Sequence, residues 1–279
     1  MLFSFRKRQV KIARFSQIGY LMSTQYLSTL TGKIAYQTFA GPSDDGILFM
    51  CGRASDMTST KSEHLRLFCE ENGITFTRFD YFGHGLSDGD FQEGSISIWT
   101  QNALEVLENV TTGKQILIGS SMSGWMMFAL AKALPERVKG LIGIAAAPDF
   151  TADLDKQFTP ETRQKLIEQG YFIFSFENGR ELLVTKAFLE DGKKNLILDK
   201  KLSISCPVIL LHGLADYIVS YQKSIELLEH VDAPYAEVRL LRDADHRMND
   251  PISLTVLEEA IAQMRRPHSF RPQESKSAD

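Results

Sequence analysis

The sequence has few cysteines, no long apolar run and no acidic residue in its first 43 positions. Three cysteines without close spacing argue against a disulfide framework and are expected in a reducing compartment. There is no C-x-x-C pair, which argues against a structural zinc site. The apolar runs are shorter than the roughly 18–20 residues that a membrane helix needs. We therefore expect a soluble body without stable membrane insertion.

Charge is distributed unevenly along the chain. Asp44 is the first acidic residue, and six of the 31 basic residues precede it, which leaves 25 basic residues against all 35 acidic ones. An acidic body is a poor partner for a polyanion, so we expect no nucleic-acid binding. The 279 residues include 43% hydrophobic residues, which is ordinary for a globular protein and excludes a mainly disordered chain.

The two ends differ in composition from the rest of the chain. Residues 1–31 form a basic leader or extension, in which residues 1–21 have the character of an import presequence. Alternatively, translation starts at Met22. The expected location is cytoplasmic, as for a bacterial protein, or mitochondrial if residues 1–21 act as a presequence. Residues 265–279 are rich in proline, serine and charge and predict a disordered tail.

Short apolar runs alternate with amphipathic segments between these ends. Several runs are continuously apolar, as in strands covered on both faces, and this alternation predicts one α/β domain with a doubly wound, mostly parallel sheet over residues 32–264. The predicted strands are Lys33–Phe39, Gly46–Cys51, Thr75–Phe79, Gln115–Ile118, Leu141–Ala145, Val208–Leu211 and Glu237–Leu241. The predicted helices are Lys61–Asn72, Ile96–Val110, Ser123–Leu134, Ser224–His230 and Leu254–Met264.

The alternation is interrupted at about residues 149–205. This segment contains a helical piece at Pro160–Gln169, an aromatic run from Tyr171 to Phe176, and a second helix near Arg180–Glu190. An insertion of this size is most simply a small helical cap over the carboxyl ends of the strands, where such sheets bind ligands. The aromatic run offers apolar surface for an acyl chain, but such runs are more often the core of the cap itself.

A buried strand runs directly into a serine-rich turn and an apolar helix in QILIGSSMSGWMMFALAKAL. This is the setting of a nucleophile elbow, whose tight turn requires small residues two places before and after the nucleophile. Ser121 meets this requirement with Gly119 and Ser123, whereas Ser120 and Ser123 as nucleophiles would each have a bulky neighbour at one of these places. Ser121 is therefore the candidate nucleophile, although Ser123 replaces the usual second glycine.

A serine nucleophile needs a base and an acid that orients the base. Of the six histidines, His246 alone follows a late strand in the chain order Ser, Asp, His of these enzymes. Asp216 follows the preceding apolar strand and is the preferred acid, with Asp149 as the alternative. The backbone N–H groups of Met122 and Arg53 are the expected oxyanion donors, because Met122 follows the nucleophile and Gly52 lets the earlier strand turn sharply before Arg53.

These pieces resemble an α/β-hydrolase-fold serine hydrolase, and most closely the subfamily of mitochondrial and bacterial palmitoyl-protein thioesterases and acyl-glucuronide esterases. The resemblance is carried by CGRASDMTSTK, FDYFGHGLSDG, GSSMSGWMM, GIAAAPDFT, LHGLADYIVSYQKS and DADHRM. It implies a cap after the sixth strand and Ser121, Asp216 and His246 as the catalytic triad, with Arg53 and Met122 at the oxyanion hole. Arg53 stands where an aromatic residue is expected, and Ser220 where proline is usual.

The expected activity is cleavage of a carboxylic ester or thioester of a small molecule or an acyl-protein through an acyl-enzyme, without metal or organic cofactor. A serine aminopeptidase is the nearest alternative, and it would need an acidic cluster in the cap to bind the free amine of its substrate. The cap offers Glu177, Glu181, Glu190 and Asp191 for this. A further alternative is a non-catalytic relative, in which Ser123 misplaces the Ser121 hydroxyl.

Overall fold

The computed structural model describes residues 23–43, 45–175 and 181–266. Its strands in chain order are β1 (Gln25–Thr29), β2 (Gly32–Phe39), β3 (Gly46–Met50), β4 (Thr75–Phe79), β5 (Gln115–Ser120), β6 (Val138–Ile144), β7 (Tyr171–Ser175), β8 (Glu181–Thr185), β9 (Leu202–Ser203), β10 (Val208–Gly213), β11 (Val231–Asp232) and β12 (Ala236–Leu241). Its α-helices are α1 (Thr60–Glu71), α2 (Ile96–Asn109), α3 (Ser123–Ala133), α4 (Phe150–Lys156), α5 (Pro160–Gln169), α6 (Lys186–Lys194), α7 (Gln222–His230) and α8 (Pro251–Arg265).

Eight strands form the central sheet in the order β1-β2-β4-β3-β5-β6-β10-β12. The strands from β4 to β12 in this order run parallel, while β2 is antiparallel to both of its neighbours. Helix α1 contacts α8, and α2 contacts α3, as two helical layers. The prediction of a mostly parallel α/β sheet is confirmed, because the central strands are apolar on both faces and need helices on each side.

The sheet begins earlier in the chain than the sequence predicted. Residues Gln25 to Thr29 pair with Tyr36 to Gly32, so that β1 is an edge strand of the central sheet. It was missed because its residues are half polar and mostly exposed, which gives no apolar run to recognise. The predicted domain start at residue 32 therefore falls after the first strand of the sheet. Residues 1–22 and 267–279, with most of the predicted leader and tail, lie outside the described residues.

The segment between β6 and β10 contains α4, α5, the antiparallel hairpin of β7 and β8, and α6. Its small apolar core is separate from the core around the central sheet and consists of Leu154, Phe158, Phe172, Val184 and Leu189. The predicted helix at Pro160–Gln169 is present, whereas the second helix begins only at Lys186 because Glu181–Thr185 is a strand. Exposure alternates along β7, with Phe172 buried, Phe174 partly buried and the residue between them exposed, which is the pattern of a strand with one covered face.

None of the helices within the described ranges combines the length and the apolar character that crossing a bilayer requires.

Candidate active site

Ser121 lies at the sharp turn between β5 and α3. Its backbone has a φ of 54°, a left-handed conformation that is strained for a residue with a side chain. The turn is held by a hydrogen bond of 2.8 Å from the Ser121 N–H to the carbonyl of Ile144. A Cβ atom on Gly119 would lie 2.5 Å from the carbonyl oxygen of Ser123. The turn therefore requires glycine at position 119, two residues before Ser121, and it has the geometry of a nucleophile elbow.

Ser123, which stands where a nucleophile elbow usually has its second glycine, is fully buried. Its hydroxyl donates to the backbone carbonyl of Cys51 and lies 2.8 Å from the hydroxyl of Tyr81. Because the single hydroxyl proton of Ser123 goes to Cys51, the Tyr81 hydroxyl is the donor to Ser123. Burial raises the pKa of the Tyr81 phenol well above its ordinary value, which keeps this donor protonated. The extra hydroxyl of Ser123 is thus fully used, and it ties the elbow to the end of β3.

The three predicted triad residues lie in contact. The Nε2 atom of His246 is 3.1 Å from the Ser121 hydroxyl oxygen, and its Nδ1 atom is 2.8 Å from Oδ2 of Asp216. An ionised carboxylate only accepts hydrogen bonds, so Nδ1 carries the proton and Nε2 is free to accept from the serine. Asp245 accepts from the N–H groups of Arg247 and Met248 and thereby fixes the loop that carries His246.

Four donors surround the Asp216 carboxylate. Oδ1 accepts the N–H groups of Ile218 and Val219 at 2.8 and 2.9 Å, and Oδ2 accepts from His212 at 3.1 Å as well as from His246. Burial alone would raise the pKa of Asp216, but the hydrogen bonds from the two histidines outweigh it and hold the pKa well below its ordinary value. The carboxyl group of Asp216 is therefore ionised at neutral pH.

His212 is a neighbour of the site that the sequence reasoning set aside. It is completely buried, and its Nε2 lies near two acceptors, Oδ2 of Asp216 and the carbonyl of Val219. Nε2 must therefore carry the proton, and Nδ1 accepts from the Ser224 hydroxyl at 2.7 Å. The sequence signal that could have placed His212 near the site was its position at the end of β10, four residues before Asp216.

Asp149, the alternative acid, has different partners. It has a left-handed φ of 58° and precedes α4. Its carboxylate accepts the backbone N–H groups of Ile197 and Leu198 at 2.9 Å. The Asp149 carboxylate therefore joins the start of the α4–α6 segment to the residues that follow α6. The carboxylate that contacts His246 is that of Asp216.

Gly52, Arg53 and Met122 line one cavity together with Ser121 and His246. The side chain of Arg53 reaches β8, where its Nη2 donates a hydrogen bond of 2.6 Å to the carbonyl of Leu183. Its guanidinium lies 4.5 Å from the ring centre of Phe91 and 4.9 Å from that of Phe188. Burial lowers the pKa of Arg53 to about 10, and its Nε and Nη1 atoms are buried without a hydrogen-bond partner. The Arg53 side chain thus links the loop after β3 to β8 and α6.

The cavity has a volume of about 1140 Å³ and lies between the central sheet and the α4–α6 segment. Phe174, Leu182 and Leu154 from that segment and Ile218 and Val219 beside Asp216 form an apolar wall. The predicted aromatic run serves both purposes, because Phe172 is buried in the small core, while Phe174 packs against that core and also lines the cavity. Phe176 lies outside the described residues.

The acidic residues that an aminopeptidase would need do not form a cluster in the described part of the cavity. Glu190 faces Lys186 at 3.8 Å, and Asp191 accepts from the backbone of Ser97. Glu181 does line the cavity, whereas Glu177 lies outside the described ranges.

Two further acids of the cavity are paired with lysines. Asp153 and Glu226 both pair with Lys223, at 2.9 and 2.7 Å, and Asp153 also pairs with Lys156 at 3.1 Å. The charges of these two carboxylates are therefore balanced by the two lysines. Within the part of the chain that the structure describes, no group of histidine, cysteine and acidic side chains is arranged to hold a metal ion.

Comparison with known proteins finds a matching family model and several similar proteins. Residues 43–172 match the family model described as serine aminopeptidase, S33. The chain is 34% identical over 226 residues to the mitochondrial palmitoyl-protein thioesterase ABHD10 of Mus musculus, an overlap that covers 80% of this chain and 76% of the relative. The corresponding Homo sapiens protein is 32% identical over the same length, with 80% and 74% covered.

Solved structures agree with this result. A hydrolase from Agrobacterium vitis S4 has a TM-score of 0.83 and 36% identity, with 88% of this chain and 99% of that chain covered. The mouse α/β-hydrolase domain-containing protein 10 has a TM-score of 0.81 and 32% identity, with 87% and 98% covered. The predicted reaction class, a serine hydrolase that acts on carboxylic ester or thioester bonds, is confirmed by these relatives. The chain belongs to the α/β-hydrolase family that contains the ABHD10 palmitoyl-protein thioesterases.

Proposed function

We propose that Ser121, His246 and Asp216 cleave the ester or thioester through an acyl-enzyme. The Ser121 oxygen attacks the acyl carbon while its proton passes to Nε2 of His246. The tetrahedral oxyanion is stabilised by the backbone N–H groups of Met122 and Arg53. His246 then returns the proton to the departing alcohol or thiol, and the carbon–oxygen or carbon–sulfur bond breaks.

Water completes the cycle by the same route. His246 takes a proton from the water, the resulting hydroxide attacks the acyl carbon, and Ser121 leaves with the proton returned by His246. Asp216 holds the Nδ1–H tautomer and stabilises the imidazolium that forms in each half-reaction. The observation that carries this proposal is the continuous contact from Ser121 through His246 to Asp216, at 3.1 and 2.8 Å.

A fluorophosphonate probe tests the nucleophile. The wild-type protein is expected to be labelled at one serine, and Ser121→Ala is expected to lose the label. Ser120→Ala is the matched control, because Ser120 is the adjacent serine of the same turn and lies near Lys61 instead of His246. Absence of labelling in the wild type would favour the non-catalytic relative, and labelling that survives Ser121→Ala would place the nucleophile elsewhere.

We further infer that the acyl chain lies against the apolar wall formed by Phe174, Leu182 and Leu154. The relatives named palmitoyl-protein thioesterases support an acyl-protein or a small acyl ester as substrate. Phe174→Ala is expected to raise KM for a p-nitrophenyl octanoate substrate and to leave KM for p-nitrophenyl acetate unchanged. Tyr171→Ala is the control on the same strand, since Tyr171 is half exposed. Equal effects of Phe174→Ala on both esters would contradict this placement.

The boundaries of the catalytic unit and the cellular location of the protein are further proposals. We propose that the catalytic unit ends near residue 264, that residues 149–205 form its cap, and that the protein is cytoplasmic. The relatives named mitochondrial support the alternative location. A chain that starts at Met22 is expected to be as active as the full chain. Import into isolated mitochondria with loss of about 21 residues would establish the presequence instead, and loss of activity would show that residues 1–21 belong to the catalytic unit.

A further inference from the structure

His84 lies in the turn that follows β4, within the motif FDYFGHGLSDG. It is 4% exposed, and the triad does not use it. The turn is constrained on both sides of the histidine, because Gly83 and Gly85 have positive φ values of 71° and 47°. A Cβ atom on Gly85 would lie 2.1 Å from the carboxylate of Asp80. The backbone that presents His84 therefore has little freedom to move.

The hydrogen bonds of His84 determine its tautomer. Nδ1 lies 3.1 Å from the carbonyl oxygen of Phe82, which only accepts, so Nδ1 carries the proton. Nε2 lies 3.1 Å from the backbone nitrogen of Ala54, and it accepts that N–H. Burial lowers the pKa of His84, and the charge of Arg53 acts in the same direction. The ring is therefore neutral, with a lone pair on Nε2 for Ala54.

The ring of His84 is fixed by aromatic neighbours. It makes edge contacts with Tyr81, Phe91 and Trp99, with ring centres 5.9, 5.0 and 5.3 Å away. Trp99 also donates its indole N–H to the carbonyl of Phe82, the same oxygen that accepts from His84. Rotation of the imidazole would break these contacts, so Nε2 keeps its direction toward Ala54.

The N–H of Ala54 belongs to the peptide group that joins Arg53 to Ala54. Ala54 has a left-handed φ of 58°, which is an unfavourable conformation without a partner that holds it. At the other end of the same loop, Oδ1 of Asp80 accepts the N–H of Met57 at 2.6 Å. The turn after β4 therefore holds the loop after β3 at two points, one on each side of Ser55.

We propose that His84 is a positioning residue that orients the Arg53–Ala54 peptide group. By restraining the backbone on one side of Arg53, it directs the N–H of Arg53, on the other side, toward the oxyanion. This inference rests on the proposed role of Arg53 as an oxyanion donor. Loss of the acceptor at Nε2 frees the Ala54 N–H and lets the loop relax from its left-handed conformation. The Arg53 N–H then moves away from the position that the tetrahedral oxygen will occupy.

His84→Phe tests the proposal, since phenylalanine keeps an aromatic ring and removes the acceptor. Removal of one oxyanion donor costs about 10²–10³-fold in kcat. Because His84→Phe displaces a donor without deleting it, we expect kcat for p-nitrophenyl acetate to fall about 10- to 100-fold, with KM changed much less. Inhibition by a phenylboronic acid, which forms a tetrahedral adduct on the serine, is expected to weaken by a similar factor. His84→Gln, whose side-chain oxygen can accept from Ala54, is expected to recover part of the loss.

His64→Phe is the matched control, because it makes the same substitution at a histidine that pairs with Glu258 instead of Ala54. It is expected to keep kcat within about threefold of the wild type. If His84→Phe and His64→Phe lose kcat equally and in proportion to a fall in Tm, His84 has only a structural role and the proposal is wrong. Wild-type kcat in folded His84→Phe also overturns it. Failure of the catalytic proposal is distinct, since it would appear as absent probe labelling of the wild type.

Discussion

The guanidinium of Arg53 donates a hydrogen bond of 2.6 Å to the carbonyl of Leu183, 130 residues later in the chain. The residue whose backbone we propose as an oxyanion donor is thereby joined to β8, which packs over the cavity. Phe188 of α6 strengthens the link from the same segment through its contact with the guanidinium. The α4–α6 segment and the loop that carries Arg53 are therefore in direct contact.

Arg53→Met should loosen this link with little change in overall stability. Each cation–π contact contributes about 0.5–2 kcal/mol, but burial of a guanidinium with two unpartnered nitrogens costs a similar amount. We expect Tm to change by only a few degrees while amide exchange in β8 accelerates, as measured by hydrogen–deuterium exchange. Arg137→Met is the comparison, because Arg137 bonds to Thr111 and Gly113 instead. Unchanged exchange in β8 would contradict the coupling.

Asp216→Asn should abolish most of the turnover and leave the fold intact. The amide leaves His246 without its carboxylate and favours the wrong tautomer, and in another serine triad this change lowered kcat about 10⁴-fold. A steady-state ester assay measures the loss, and circular dichroism checks the fold.

Asp149→Asn is the matched variant for this prediction. It weakens the bonds to Ile197 and Leu198, so we expect a loss of about 1–3 kcal/mol in the free energy of unfolding and a kcat within a few-fold of wild type. The reverse pattern, with turnover dependent on Asp149 and not on Asp216, would transfer the acid role to Asp149.

Ser123 and Tyr81 should be energetically coupled through their buried hydroxyls. Ser123→Ala removes the bond to Cys51 and leaves the Tyr81 hydroxyl without its partner, at a cost of about 1–3 kcal/mol. A double-mutant cycle with Tyr81→Phe, measured by urea unfolding, should give a coupling of about 0.5–3 kcal/mol. Strict additivity of the two substitutions would show that the hydroxyl pair is unimportant.

Ser123→Gly restores the glycine that is usual in the family, and it tests whether Ser123 impairs the elbow. Because the Ser121 oxygen already lies 3.1 Å from His246, we expect no gain in kcat. A large gain in kcat would mean that the Ser123 side chain misplaces the nucleophile.

Lys61 should make stability rise with pH in the alkaline range. It is 5% exposed, its Nζ lies 3.4 Å from the Ser120 hydroxyl, and burial lowers its pKa to about 8 while Asp245 acts in the opposite direction. The unfolded chain holds this proton up to its ordinary pKa of 10.5, so between pH 8 and 10.5 the unfolded state binds more protons and the free energy of unfolding increases with pH.

Lys61→Met should therefore be more stable than the wild type at pH 7, where the buried charge costs up to about 3 kcal/mol. The difference should shrink toward pH 10, as measured by urea unfolding at several pH values. Lys200→Met replaces an exposed lysine and should follow the wild-type curve. Parallel curves for Lys61→Met and wild type would contradict the prediction.

Local rules were sufficient for seven of the eight strands of the central sheet and for the turn at Ser121. Continuous apolar runs such as ILIG and PVILL predict buried parallel strands, and the steric limit at Gly119 singles out Ser121 among three nearby serines. The edge strand β1 and the hairpin of β7 and β8 were not predicted, because their polar or aromatic residues acquire a pattern only from the surface they pack on.

The sequence by itself therefore determined the fold class and the candidate residues of the triad, since these depend on short-range patterns and on chain order. The tertiary structure alone decided which carboxylate contacts His246, where the Arg53 guanidinium lies, and how the Ser123 hydroxyl and His84 are used. Each of these contacts joins residues 30 or more positions apart. Such contacts arise only when the packing of the strands and loops brings distant segments to one edge of the sheet.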